Sequence, residues 1–148
     1  MPQNSVAGID ATVQQTNEWI KELCQELHTD DPQRAYLALR AFLHTARDQL
    51  TIEEVAQFAA QLPMLIRGIY YEGWDPTRNP ARIRHRDEFL QRIGEEAIFP
   101  DLDPVRVISA VTRVLNRHMS PGQTEQLLHS MSHEIRELMT TVAGSHTG

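Results

Sequence analysis

Apolar residues recur at intervals of three and four positions along most of the 148-residue chain. This spacing places side chains on one face of an α-helix, whereas a half-buried strand would alternate apolar and polar residues. No segment shows such strand-type alternation. The first helix is predicted to start after Asp10, as its N-cap, and to end near Leu27. The pattern as a whole predicts an all-α fold, a compact bundle of about six helices.

Local signals mark the starts of the later helices. Asp31-Pro32 and Asp103-Pro104 are typical helix starts, because the aspartate can cap the helix and a proline at its first position loses no hydrogen bond. Capping boxes are predicted over residues 51–54 and 120–123, which open the third and sixth helices. Pro63 lies inside the third apolar stripe. It should kink or break that helix, because proline lacks an amide proton and crowds the preceding turn.

The same features occur twice in the same order. Residues 17–23 match residues 87–93 in the placement of acidic, aromatic and aliphatic side chains, and the helix starts recur as well. The first helices match at a shift of 70 residues and the third at 69, while the second fit either 69 or 72. We therefore expect two similar three-helix repeats packed together. The predicted organisation is a flexible N-terminus (1–10), a first repeat (11–74), an arginine-rich connector (75–86), a second repeat (87–141) and a flexible C-terminal tail (142–148), forming one compact domain.

Composition places the chain among ordinary globular proteins, with 41% hydrophobic and 23% charged residues. The lone Cys24 cannot form an intramolecular disulfide and sits in a helical apolar pattern, which favours a buried structural role. The N-terminus lacks the features of a secretory signal, and no segment approaches the ~20 apolar residues that span a bilayer. We expect a cytoplasmic protein with no membrane association.

The connector carries the one basic island of an acidic chain. Net charge is -6, yet four arginines fall within nine residues: Arg78, Arg82, Arg84 and Arg86. Arginine suits phosphates and other anions, so these residues are candidate anion or nucleic-acid contacts. The negative net charge argues against nucleic acid. Nearby acidic residues leave internal salt bridges as the other interpretation.

An aromatic segment ends the first predicted repeat and has no counterpart in the second. Five of its residues form a candidate partner or ligand surface: Arg67, Tyr70, Tyr71, Glu72 and Trp74. Aromatic side chains with a polar group are favoured at binding surfaces. The alternative is that these rings close the contact between the two repeats.

This segment and the connector also carry a family resemblance. Residues 62–76 and the arginine-rich stretch resemble the bacterial family catalogued as domain of unknown function 2267, as do residues 39–44 and 117–122. The resemblance covers roughly residues 16 to 140. It implies a compact helical protein with two similar halves, and it implies no catalytic residues.

Candidate chemistry elsewhere is sparse. His129 and His133 are four residues apart on the predicted sixth helix, which makes them a weak candidate pair for a metal. The chain has no nucleophile elbow and no glycine-rich phosphate loop, so we expect neither a catalytic site nor a cofactor.

The leading hypothesis is a non-enzymatic protein-interaction or regulatory module that binds an unknown partner or itself. Anion or nucleic-acid binding through the connector is the alternative, and small-molecule or metal binding is the weaker one. An enzyme is not excluded.

Overall fold

The computed structural model describes residues 5–99 and 101–145, with side chains up to residue 142. Within these ranges the chain forms eight α-helices and one short 3-10 helix, and it contains no strand. The prediction of an all-α fold is confirmed. The α-helices are α1 (Ala7–Leu27), α2 (Pro32–Arg47), α3 (Ile52–Ala59), α4 (Met64–Tyr71), α5 (Arg86–Ala97), α6 (Pro104–His118), α7 (Pro121–His129) and α8 (His133–Ser145), and the 3-10 helix spans Pro76–Arg78.

The prediction of six helices is wrong, because the third predicted helix of each half is two helices. In the first half the chain breaks at Pro63, which has an extended backbone (φ -56°, ψ 152°) and precedes α4. Proline can begin a helix but cannot donate to the turn before it, so α3 ends and α4 starts afresh.

The second half breaks at the corresponding place without a proline. Ser132 precedes α8, and its hydroxyl accepts a hydrogen bond from the Ile135 amide at 3.3 Å. The same hydroxyl donates to the Arg84 carbonyl at 2.9 Å. Serine competes with the helix for backbone groups in this way and favours helix starts. A sequence search for helix-breaking residues does not detect this break.

One arginine at each break satisfies the carbonyls of the preceding helix end. Arg67 donates to the Ala59 carbonyl at 2.9 Å and to the Leu62 carbonyl at 3.0 Å. Arg136 donates to the carbonyls of Leu128, His129 and Met131, at 3.1, 3.4 and 3.3 Å. The last four carbonyls of a helix have no partner within the helix, so both arginines supply donors that the breaks would otherwise lack.

Most predicted helix starts are confirmed. Asp31 and Asp103 cap α2 and α6 through hydrogen bonds from Gln33 and Val105, and both predicted capping boxes form at α3 and α7. The first start is an exception, because α1 begins at Ala7 and Asp10 lies in its first turn. A carboxylate is stabilising anywhere in the first turn, so it does not fix the cap position. Residues 1–4 and 146–148 of the expected flexible ends lie outside the described residues.

Helices α2 and α6 lie at the centre and the other helices surround them. Most residues of α2 are buried, including Leu39, Phe42 and Leu43. Packing pairs occur in matched sets. In the first half, α1 packs on α2 and α4, and α2 packs on α4. In the second half, α5 packs on α6 and α8, and α6 packs on α8. Across the halves, α1 packs on α6, α5 packs on α2, and α2 packs on α6.

Polar contacts fasten α1 to the second half. The Trp19 ring stacks on His118 with centroids 4.9 Å apart, and His118 Nε2 lies 2.9 Å from Glu22. Arg113 lies 3.1 Å from Glu26, and Arg117 pairs with the same carboxylate. The two halves therefore share both an apolar core and an ion-pair cluster at its edge.

Substituting either break arginine should destabilise the fold. We expect Arg67→Met and Arg136→Met each to lower the free energy of unfolding by about 1–3 kcal/mol, because hydrogen bonds from a charged donor are lost and buried carbonyls stay unpaired. Urea unfolding followed by circular dichroism measures this. Arg78→Met, at an exposed arginine, is the matched control and should change stability by less than about 0.5 kcal/mol. Equal stabilities of all three variants would contradict the role given to these contacts.

Candidate functional site

The aromatic residues of the first half form a continuous cluster. Tyr70 lies 5.6 Å from Phe58 and 5.3 Å from Tyr71, and Tyr71 lies 5.6 Å from Trp74, between ring centroids. Tyr70 is only 1% exposed, and its hydroxyl donates to the Val55 carbonyl at 3.1 Å. Burial raises the pKa of this phenol well above its ordinary value. Tyr70 is thus a core residue that joins α4 to α3.

Other residues of the predicted surface have internal partners. Arg67 is occupied by the helix-end carbonyls described above. The exposed Glu72 accepts a hydrogen bond from Arg40 at 2.7 Å, and this contact lowers the pKa of the Glu72 carboxyl. Tyr71 and Trp74 are partly exposed, so they are the two aromatic residues of the predicted set with ring surface available to a partner.

The connector, residues 75–86, is held to the end of α2 by a set of hydrogen bonds. Asn79 accepts from the Trp74 indole at 2.9 Å and donates to the Arg47 and Leu50 carbonyls at 2.8 and 2.9 Å. The Ala81 amide donates to the Asp48 carbonyl at 2.7 Å. These contacts fix the connector backbone, although it has little regular secondary structure.

Two buried polar side chains complete this anchor. Arg47, 5% exposed, donates to the Tyr70 and Glu72 carbonyls at 2.8 and 3.1 Å and pairs with Asp48 at 2.9 Å. Gln49, 7% exposed, accepts from the Ile83 amide at 2.8 Å. A buried charge is tolerated only with such partners.

Sequence reasoning missed Arg47 and Gln49, although a signal was present. The starts of α2 and α6 align at a different shift from the starts of α3 and α7, which leaves residues 47–49 without counterparts in the second half. The extra residues in the first half are the ones that hold the connector.

The four connector arginines are exposed. Among the residues that the structure describes, none of them makes an ion pair with a carboxylate within 4.0 Å. The internal salt bridges considered for Arg78, Arg82, Arg84 and Arg86 do not form there. Arg82 and Arg84 border a groove of about 340 Å³ that also reaches Glu54 at the start of α3 and Ser132 in the break between α7 and α8.

The histidine pair does not lie on one helix face, so that prediction is wrong. His129 is the last residue of α7 and His133 is the first residue of α8, with the break between them. His133 instead lies 3.7 Å from Glu137 on its own helix. In the described part of the chain, no group of three or more histidine, cysteine, aspartate or glutamate side chains is arranged to hold a metal ion.

The lone thiol is not activated. Burial, followed by the nearby Asp31 and Asp30 carboxylates, raises the pKa of Cys24. A raised pKa favours the thiol over the nucleophilic thiolate. Cys24 is partly buried and packs against the core, whereas the sequence predicted a buried residue.

His44 is a buried titratable group beneath the aromatic cluster. It is 5% exposed, and its Nε2 donates to the Ile69 carbonyl at 2.7 Å. Burial lowers the pKa of His44, and the Arg47 and Arg40 charges lower it further, whereas the Ile69 hydrogen bond and Glu96 act in the opposite direction. The neutral imidazole is therefore part of the folded state near neutral pH.

Stability should decrease as pH falls below the ordinary histidine pKa of about 6.5. The unfolded chain binds a proton at His44 at higher pH than the folded chain does, so acidification favours unfolding until the folded pKa is passed. We expect His44→Gln, which keeps a donor for the Ile69 carbonyl, to show a smaller loss of unfolding free energy between about pH 7 and pH 5. Urea unfolding across this range measures the difference, because the remaining histidines are common to both proteins. Parallel pH profiles would refute it.

Within residues 5–99 and 101–145, none of the helices combines the length and hydrophobicity that crossing a lipid bilayer requires. The cytoplasmic location stays a prediction. No curated protein matches the chain. The model of one family, described as "Uncharacterized conserved protein (DUF2267)", matches residues 16–138, which include all eight helices at least in part. The chain therefore belongs to the DUF2267 family.

Proposed function

We propose that the protein is a non-enzymatic interaction module that binds an acidic segment of a partner protein along its connector. The observation that carries this proposal is that the connector presents four exposed arginines while hydrogen bonds hold its backbone in place. Within the described residues these side chains make no ion pair with a carboxylate within 4.0 Å, which leaves their charges available to an anionic partner.

Backbone anchoring supports a binding role, because less order has to be gained on binding. A mobile arginine-rich loop would lose conformational entropy when a partner docks. Here Asn79 already fixes the connector through its hydrogen bonds to the end of α2, and Gln49 does so through the Ile83 amide. Only the arginine side chains remain to be ordered.

Charge distribution favours an acidic protein segment over nucleic acid. The whole chain carries -6, and removing the +4 of the four arginines leaves -10 on the rest. A long polyanion that extends beyond the four arginines is repelled by the negative charge on the rest of the chain. A short acidic segment fits within the basic island. The groove beside Arg82 and Arg84 could receive side chains of such a segment.

Aromatic surface lies next to the arginines. The bond from Trp74 to Asn79 closes a short loop that contains Arg78, so the indole and this guanidinium belong to one small unit. The partly exposed Tyr71 packs against Trp74. Tryptophan, tyrosine and arginine dominate the energetics of protein interfaces. Of the predicted partner surface, these two rings lie next to the connector. Tyr70 packs against Tyr71, while Arg67 and Glu72 have other internal partners.

We also infer that the two halves are copies of one helical unit that arose by duplication. Three kinds of observation support this: the matched helix packing, the paired capping residues, and the arginine at each helix break. The cross-half pairs, α1 with α6 and α5 with α2, are those expected for two copies related by a pseudo-twofold axis. The anchor residues 47–49 and the aromatic rings lie in the first half, so the proposed docking surface is where the halves differ.

A labelled octaglutamate peptide tests the proposed surface. We expect saturable binding by fluorescence anisotropy, with affinity falling as salt is raised because the contacts are ionic. Arg84→Glu should weaken binding by roughly tenfold, the effect of about 1.4 kcal/mol. The Arg84 contribution to the fold is its backbone carbonyl, so this substitution should leave stability unchanged.

Arg106→Glu, at an exposed arginine of α6, is the matched control and should bind like the wild type apart from a small general charge effect. Equal weakening by both substitutions would mean that net charge alone attracts the peptide, and it would contradict the assignment. Tighter binding of an oligothymidylate than of the peptide would replace the proposal with nucleic-acid binding. Sedimentation of the wild type and Arg84→Glu tests self-association, which would pair the arginines with the acidic surface of a second copy.

A further inference from the structure

The second half contains a mostly apolar pocket of about 250 Å³ between α6, α7 and α8. Leu115, Leu127 and Met139 form its buried part, and Asn116 and Thr140 lie at its exposed edge. A dry cavity of about 150 Å³ with similar lining is large enough to bind benzene in another protein. The volume therefore suits a small organic molecule.

The first half shows what fills the equivalent space. When the capped starts of α2 and α6, and of α3 and α7, are aligned, five of the eight residues around the pocket correspond to larger side chains in the first half, while Leu115 and Thr124 correspond to Leu43 and Val55, which are of similar size. The corresponding pairs, with the second-half residue given first, are Met139 and Tyr70, Leu127 and Phe58, Thr140 and Tyr71, Asn116 and His44, and Thr112 and Arg40. Leu128, in place of Ala59, is a change in the other direction. In the first half the Tyr70 ring is fully packed and bonded to Val55, so a phenol occupies the space that is open in the second half.

A buried polar group in the pocket also lacks a partner. Thr112 is 7% exposed and lines the pocket, and its hydroxyl makes no hydrogen bond. An unsatisfied buried hydroxyl is rare and costs stability, so its presence requires an explanation. A bound molecule with one hydrogen-bonding group would satisfy it.

We propose that this pocket binds a small phenol-like molecule, with the ring among Leu115, Leu127 and Met139 and the hydroxyl on Thr112. The comparison between halves rests on the inferred duplication and not on the acidic partner, so either proposal can fail without the other. The pocket lies in the second half, whereas the anchor residues 47–49 lie in the first half. The two proposed sites are therefore in different parts of the fold.

The test uses 4-methylphenol, the tyrosine side chain as a free molecule, titrated into the full chain with nuclear magnetic resonance detection. We expect saturable binding at roughly 0.1–1 mM, typical for so few atoms. Met139→Tyr should fill the pocket in the way Tyr70 fills the first half and weaken binding at least about tenfold. Met64→Tyr makes the same substitution at a residue 62% exposed on α4 and should leave binding unchanged.

Thr112→Val separates the hydroxyl contact from the apolar fit. It should weaken 4-methylphenol by about threefold to tenfold and leave toluene unaffected, because only the phenol uses the hydrogen bond. Binding of N-acetyltyrosinamide as tightly as 4-methylphenol would overturn the small-molecule assignment in favour of a tyrosine of a partner protein. Absence of saturable 4-methylphenol binding, or equal binding by Met139→Tyr that retains the fold, would also overturn the proposal.

Discussion

Arginine donors at helix ends are the interaction on which this fold depends. Splitting each long helix into two short ones creates extra ends, and each end leaves backbone carbonyls without partners inside the helix. Arg67 and Arg136 supply donors at the two breaks, and Arg47 does so where α4 runs into the connector. Guanidinium is suited to this role, because it presents several donors in a fixed geometry and keeps its charge when partly buried.

The same interaction determines what each half can do. Gln49 holds the connector through the Ile83 amide, and the Arg47 side chain holds the end of α4 through the Tyr70 and Glu72 carbonyls. The connector arginines are exposed and, in the part of the chain that the structure describes, form no ion pair with a carboxylate within 4.0 Å; water solvates their charges. Internal and external arginines are therefore distinguished by burial. The internal ones make the backbone rigid, and this rigidity gives the external ones a defined arrangement.

Sequence reasoning predicted the helical class and most helix starts, because these follow from local spacing and capping chemistry. Pro63 was predicted to kink or break its helix for the same reason, and the structure shows a break. The break near Ser132 was not, since it depends on Arg136 and on the distant Arg84 carbonyl. For the site, the sequence left open whether the connector arginines form internal salt bridges, and their exposure, the burial of Tyr70 and the partners of Arg67 required the tertiary structure. The sequence pattern around an arginine or a tyrosine on a helix is the same whether its side chain faces a binding partner or a neighbouring carbonyl.

The two halves differ in how the space beside the central helix is filled. In the first half, Tyr70, Phe58 and His44 fill the space beside the central helix, and the polar atoms of Tyr70 and His44 donate to backbone carbonyls. In the second half smaller residues leave that space open and leave the Thr112 hydroxyl unpaired. Core packing is normally close to crystalline density, so an unfilled space is destabilising and persists only if the surrounding helices hold it open. Here α6 packs on α1, α2, α5 and α8, which keeps one wall of the space in place whether or not it is occupied. The free energy lost by leaving the pocket open is thus offset by the contacts of α6 with the rest of the bundle. Those contacts exist because the two halves pack on each other.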